Sequence, residues 1–242
     1  MNELELNHQI IYYPEFNKAG VIMNLNRFGY TQFVKTTLIQ KLPLYKKICD
    51  DINSGKHPDP TELTEFAFEN LVDSIKIIIC FENFFKGFLL LKGFIIHRLD
   101  NNIFKDLAKQ QKNRPILLSE VLAQKNWGVN ERLDLIDSRI GREVRGIGKN
   151  TIGMNEIFSA RYIRAMDVSQ DIVELCKNYI DHRNKLHYYI GESLSIGKSS
   201  YKDLIKLIDF VNDNVVVLHN SIVSEQKDQS YMISKITYDS FI

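Results

Sequence analysis

The sequence predicts a mainly α-helical protein that folds as one compact domain. Three stretches carry apolar residues at intervals of three and four, the spacing of a helix with one buried face: residues 59–99, 169–191 and 201–225. The chain has 242 residues, 44% of them hydrophobic and 25% charged, so it can bury a substantial core. Short segments rich in β-branched and aromatic residues near both ends predict a small β-sheet beside the helices.

The chain reads as three consecutive parts. They are an N-terminal segment of short strands and a helix (1–58), a helical bundle (59–225) and a C-terminal strand or tail (226–242). In the first part, "HQIIYY" and "GVIMNLN" predict strands, and "TQFVKTTLIQKLPLYKKICDDI" predicts a helix interrupted near Pro43. In the last part, "SYMISKITY" predicts a strand that pairs with the N-terminal ones.

A long helix is predicted to begin at residue 59 and to form the centre of the core. Asp59 is a suitable cap, and Pro60 is a suitable first helical residue. The apolar pattern runs to about Leu99, while Gly87 and Gly93 mark a break or a close helix contact.

Residues 75–96 are apolar enough to suggest a membrane span, but charged side chains recur along them. These are Lys76, Glu82, Lys86 and Lys92. Each would cost a few kcal/mol near a bilayer centre, so the sequence favours a buried core helix in a cytoplasmic protein. The partner expected for Glu82 is Lys86, one turn later, and the alternative is an arginine from another helix such as Arg183.

The cysteines and the net charge exclude several classes of protein. Cys49, Cys80 and Cys176 are far apart and odd in number, which indicates buried, reduced thiols rather than disulfides. No His or Cys cluster has metal-ligand spacing, so neither a metal nor a cofactor is predicted. With a formal net charge of +1, binding of a polyanion would require a local basic patch.

Such a patch is predicted in the irregular middle of the chain. There "RPILLSEVLAQ" predicts a short helix, and "ERLDLIDSRIGREVRGIGKNTIGMNEIF" predicts a helical start followed by a glycine-rich basic loop. The loop lacks the register of a phosphate-binding P-loop, because Ile147 follows Gly146 and Asn150 replaces the hydroxyl residue. The basic residues are Arg139, Arg142, Arg145, Lys149, Arg161 and Arg164. They form either a phosphate-binding patch or a solvated face paired with nearby acids (Asp134, Asp137 and Glu143).

The strongest candidate site is "IDHRNKLHYY", residues 180–189, at the end of the helix that Ser169 caps and Gly191 ends. Arg183 and His187 are four residues apart, which places them on one face of a continuous helix. A guanidinium can hold a phosphate, and an imidazole can move a proton near neutral pH. The alternative is an ordinary polar helix end with both groups near the C-terminal dipole.

This order of elements resembles the HEPN family (higher eukaryotes and prokaryotes nucleotide-binding domains). These are helical bundles with an arginine–asparagine pair and a later histidine on a late helix. "RNKLH" matches that motif with a shortened spacing, and "FENFFKGFLLLKGFIIHRL" is similar to the family's early helix. The resemblance covers roughly residues 59–225.

The resemblance implies a metal-independent, homodimeric endoribonuclease of a toxin–antitoxin or antiphage defence system. It implies that Arg183, Asn184 and His187 are catalytic, with Tyr188 and the arginines at 139, 142 and 145 binding RNA. An antitoxin or another defence protein would be its partner. A helical module that binds a protein or a nucleotide without catalysis is the alternative function.

Overall fold

The structure is a computed structural model that describes residues 15–99, 104–123, 127–129, 135–137, 142–143, 147–185, 200–226 and 229–238. Among these, only the backbone is described at 15–18, at 122, within 127–150 and within 182–200. The described part is mainly α-helical, as the sequence predicts.

Helices make up most of the described chain. They are α1 (Glu15–Val34), α2 (Thr37–Gln40), α3 (Leu42–Asn53), α4 (Pro60–Leu91), α5 (Lys105–Gln111), α6 (Leu118–Leu122), α7 (Met154–Ile157), α8 (Ala160–Met166), α9 (Gln170–Lys185), α10 (Ser200–Phe210) and α11 (Val217–Glu225). A π-helical turn, Val211–Val216, joins the last two, and a 3₁₀ turn, Gln229–Tyr231, follows. The strands are β1 (His97–Leu99), β2 (Trp127–Val129), β3 (Leu135–Asp137), β4 (Arg142–Glu143) and β5 (Ile147–Thr151).

The chain divides into two compact units, each made of two separate stretches. One comprises Met1–Leu25 with Phe85–Val168, and the other comprises Asn26–Phe84 with Ser169–Ile242. The division into residues 1–58, 59–225 and 226–242 was made from the sequence and remains a prediction.

The first unit contains the small sheets. β1 pairs antiparallel with β5, and β2, β3 and β4 form an antiparallel meander. The Gln111 side chain pairs with β1 as a neighbouring strand would: its Nε2 donates to the His97 carbonyl at 2.7 Å, and its Oε1 accepts from the Leu99 N–H at 2.9 Å. The apolar cluster beneath comprises Ile95, Leu99, Phe104, Leu107, Ala108, Ile116 and Val121.

The second unit is helical in its described part, and aromatic side chains fill its core. Phe81 contacts three other rings, with centroids 5.9 Å from Phe33, 5.5 Å from Phe84 and 5.9 Å from Phe210. These contacts join α1, α4 and α10. The three cysteines also lie in this unit, buried and unbridged, and burial raises the thiol pKa of Cys49 to about 11.

The predicted long helix is confirmed, with an earlier end. Asp59 caps α4, because its Oδ1 accepts from the N–H groups of Thr61 at 2.8 Å and Glu62 at 3.1 Å. The helix ends at Leu91 rather than near Leu99, since Gly93 has φ +84°, a left-handed conformation that stops a helix. No described helix has an 18-residue window apolar enough to cross a bilayer.

The predicted sheet of terminal strands is wrong where the structure describes those segments. "GVIMNLN" lies inside α1, whose buried positions Ile22, Asn26, Gly29 and Phe33 recur at three and four. Helical periodicity over twenty residues therefore outweighs the local β-propensity of two β-branched residues. "SYMISKITY" forms no strand after its 3₁₀ turn in the part of the chain that the structure describes, and "HQIIYY" lies outside that part.

The middle of the chain is also less helical than predicted. The short helix in "RPILLSEVLAQ" is confirmed as α6, but the helical start predicted in "ERLDLIDSRIG" is wrong at Leu135–Asp137, which forms the central strand of the meander. The secondary structure of this segment depends on its pairing with other strands, which a local sequence pattern does not show.

Gly29 provides a test of the packing between α1 and α4. A Cβ at this position would lie 2.6 Å from the Phe84 ring and 3.1 Å from the Cys80 carbonyl oxygen. We expect Gly29→Ala to lower the free energy of unfolding by about 1–3 kcal/mol despite the better helix propensity of alanine. Urea denaturation measures this. Gly153→Ala is the control, because nothing lies within 4 Å of the added carbon; equal losses in the two variants would contradict the close contact.

Candidate functional site

The structure describes part of the predicted catalytic motif. Arg183 and Asn184 lie in the last turn of α9, where only their backbone is described. His187 and Tyr188 lie outside the described residues, as do Arg139 and Arg145. Arg142 lies on β4, also with its backbone alone. The motif residues therefore remain predictions.

The register of α9 places Arg183 on the side that the helix buries. The buried residues of α9 are Ile172, Val173, Leu175, Cys176 and Tyr179. Arg183 follows Tyr179 by one turn and Cys176 by two, so its Cα lies within about 40° of theirs around the helix axis. Asn184 is aligned instead with the half-buried Ile180.

The buried tyrosine of α9 lies one turn before Arg183. Tyr179 is buried, and burial raises the pKa of its hydroxyl, with further contributions from Asp203, Cys176 and Asp73. The hydroxyl therefore stays neutral at physiological pH.

The other sequence candidates have local roles in their own units. Glu82 is half-buried, and Lys86 donates to the Thr151 hydroxyl at 3.0 Å. Arg161 and Arg164 lie on α8, with the Arg161 guanidinium 5.7 Å from the Tyr162 ring centroid. The described residues contain no group of three or more His, Cys, Asp or Glu side chains that could hold a metal ion.

A second site, which the sequence does not reveal, lies on the last helix. α10, the π-helical turn and α11 form one continuous C-terminal helix, residues 200–225, and the tail, residues 229–238, runs back along it. Asn220 donates from Nδ2 to the Ile233 carbonyl at 2.9 Å and accepts at Oδ1 from the Ile233 N–H at 3.0 Å. Asn212 makes the same pair of bonds to Ile236, at 2.9 and 2.8 Å.

Further contacts hold the backbone of the tail. His219 Nε2 lies 2.8 Å from the Tyr231 carbonyl oxygen, and because that oxygen can only accept, Nε2 carries a proton. The Tyr30 hydroxyl donates to the Ser234 carbonyl at 2.5 Å. The Arg27 guanidinium lies over the Tyr231 ring, 4.9 Å from its centroid.

Two side chains of the tail bond to carboxylates on the C-terminal helix. Lys235 pairs with Asp213 at 3.2 Å, and the Tyr238 hydroxyl donates to Asp209. Together with the asparagine bonds, these contacts orient the tail antiparallel to the helix. In the sequence, this site is visible only as "NDN" within an otherwise apolar helical pattern, with another asparagine eight residues after the first.

No protein-family model, curated protein or solved structure matches the chain. Functional inference therefore rests on the chemistry of the residues themselves.

Proposed function

We propose that the protein is a HEPN-like, metal-independent endoribonuclease of a toxin–antitoxin or antiphage defence system. RNA is its substrate, and two copies of the chain form the active site as a cytoplasmic homodimer. The catalytic residues are Arg183, Asn184 and His187, and Tyr188 contacts the RNA. The arginines at 139, 142 and 145 bind the phosphate backbone.

The position of Arg183 on α9 carries this proposal. Arg183 follows the buried Cys176 and Tyr179 along one side of the α9 backbone, and a permanently charged guanidinium at that position is suited to hold an anion. A bound phosphate supplies one, and a guanidinium can contact two phosphate oxygens at once. His187 follows Arg183 by four residues in the sequence.

The reaction needs a base, a cation and accurate positioning. His187 accepts the proton of the RNA 2′-OH, whose oxygen attacks the adjacent phosphorus. The bond from phosphorus to the 5′ oxygen breaks, that oxygen takes up a proton, and the products are a 2′,3′-cyclic phosphate and a 5′-hydroxyl. Arg183 stabilises the charge on the phosphoryl oxygens, and Asn184 orients the reacting groups.

Growth on induced expression tests the biological role. We expect the wild-type chain to arrest bacterial growth, whereas Arg183→Ala and His187→Ala permit growth at equal protein levels, because each removes a group that the reaction requires. Immunoblots establish the protein levels. Arrest by all three chains, or by none, would contradict a toxic nuclease at this site.

A second candidate function is a non-catalytic module that binds a partner protein, and the contacts of the tail favour it. In that case Arg183 has a structural role and the chain cleaves no RNA. RNA cleavage by the wild-type chain distinguishes the two candidates. If Arg183 has only a structural role, Arg183→Ala is less stable than the wild type, and neither protein cleaves RNA.

A further inference from the structure

The π-helical turn aligns Asn212 with Asn220. In an uninterrupted α-helix, residues eight apart lie about 80° from each other around the axis. A π-turn closes hydrogen bonds over five residues and so adds one residue to the helix, which reduces that angle to about 20°. Asn212 lies within the turn Val211–Val216, and Asn220 lies one turn beyond its end. We call the surface that they share the asparagine face.

The spacing of the asparagine face matches an extended chain. Because the π-turn takes up one of the eight residues, the helix rises about 10.5 Å from Asn212 to Asn220, and three residues of extended chain span about 10 Å. The two asparagines accordingly bind residues three apart, Ile233 and Ile236. Each side-chain amide offers one donor and one acceptor, so it pairs with a peptide unit as a neighbouring strand would.

The tail is bound by its backbone and contributes little to the core. None of its ten residues is buried, and Tyr231 and Met232 remain 43% and 44% exposed. On the helix beneath it, Asn212 and His219 are buried, exposed by 7% and 0%. A different chain with the same backbone conformation could therefore replace the tail without changing the apolar core.

We propose that the asparagine face is a docking site for an extended segment of a partner protein, and that the chain's own tail occupies this site until such a segment displaces it. The segment presents the N–H and C=O groups of two residues three apart, with aliphatic side chains at both. A lysine or arginine directly before the second contacts Asp213, and a tyrosine two residues after it contacts Asp209, as Lys235 and Tyr238 do in the tail. This proposal does not depend on ribonuclease activity.

In the experiment, a protease cut separates the tail from the folded chain, so that an added peptide can take its place. A protease recognition sequence is inserted at residues 227–228, and the purified protein is cleaved there. A fluorescent peptide, QSYMISKITY (residues 229–238), is then titrated and followed by fluorescence anisotropy. We expect the peptide to bind the cleaved chain at least tenfold more tightly than the uncleaved chain, whose tethered tail competes at an effective concentration of about millimolar.

Two matched pairs test recognition of the backbone. Asn212→Leu and Asn220→Leu should each weaken peptide binding at least tenfold, whereas Asn214→Leu should not, because Asn214 lies in the same π-turn but donates to the Phe210 carbonyl of its own helix. A peptide N-methylated at Ile236 should bind weakly, since Asn212 accepts from that N–H, while methylation at Thr237 should have less effect.

Three outcomes would overturn the proposal. One is a cleaved wild-type chain that neither retains its own tail on gel filtration nor binds the peptide. Another is equal binding by all three asparagine variants. The third is an intact chain that runs as a dimer and is dissociated by the peptide, which would make the tail of a second copy the occupant.

Discussion

Asp73→Ala is expected to lower the free energy of unfolding by about 3 kcal/mol, because the substitution leaves a buried N–H group without an acceptor. The Asp73 side chain is fully buried, and its Oδ2 accepts from the Leu38 N–H at 2.8 Å. Leu38 lies in the first turn of α2, whose N-terminal N–H groups have no partner within the helix. Oδ1 accepts from Lys76 Nζ at 2.9 Å. One carboxylate thus joins α2 to α4.

Urea denaturation followed by circular dichroism measures the loss. Asp50→Ala is the matched control, since Asp50 also pairs with a lysine on its own helix but is 60% exposed, and it should leave the midpoint nearly unchanged. Asp73→Asn keeps one acceptor for the Leu38 N–H and should retain much of the stability. If Asp73→Ala were no less stable than Asp50→Ala, the buried bond to α2 would not support the fold.

His187→Ala and Arg183→Ala are each expected to reduce the rate of RNA cleavage by about 100-fold or more. Removing a general base typically costs 10²–10⁴-fold, and removing a group that stabilises developing charge costs about 10²–10³-fold. The measurement is the single-turnover cleavage rate of a fluorescent RNA by the purified chain. Circular dichroism establishes that each variant is folded.

Lys177→Ala is the control for charge on the same helix. Lys177 lies on the exposed side of α9, two turns before the motif, and its loss should change the cleavage rate less than threefold. A similar decrease in Lys177→Ala and Arg183→Ala would indicate that general positive charge, and not the position of Arg183, supports cleavage.

The helices α4, α9 and α10 were predictable from sequence because the apolar spacing of an amphipathic helix repeats every three to four residues. The cap at Asp59, the start of α9 after Ser169 and the apolar spacing of α10 all lie within a few residues of the features they determine. The strand at Leu135–Asp137 was not predictable in this way, since its pairing with β2 and β4 depends on residues several positions away in the chain. For "GVIMNLN", the seven residues alone favoured a strand, and the helical period emerges only over the twenty residues of α1.

The tail shows a different limit of sequence analysis. Its β-branched and aromatic residues favoured a strand paired with the N-terminal segments, but the partner is a pair of side-chain amides and not a strand. The alignment of Asn212 with Asn220 requires the π-turn, and a standard period of 3.6 residues places them on different faces. For the motif at Arg183, the residue types in the sequence suggested a reaction. The structure adds the register of α9, which aligns the backbone of Arg183 with buried residues of the same helix.

The chemistry of the RNA ends tests the proposed ribonuclease most directly. RNA is incubated with the purified wild-type chain in EDTA, and the product termini are identified by mass spectrometry. We predict 2′,3′-cyclic phosphate and 5′-hydroxyl ends, formed by the wild type and not by His187→Ala. Intact RNA, or 5′-phosphate ends produced equally by both proteins, would contradict 2′-OH attack at this site.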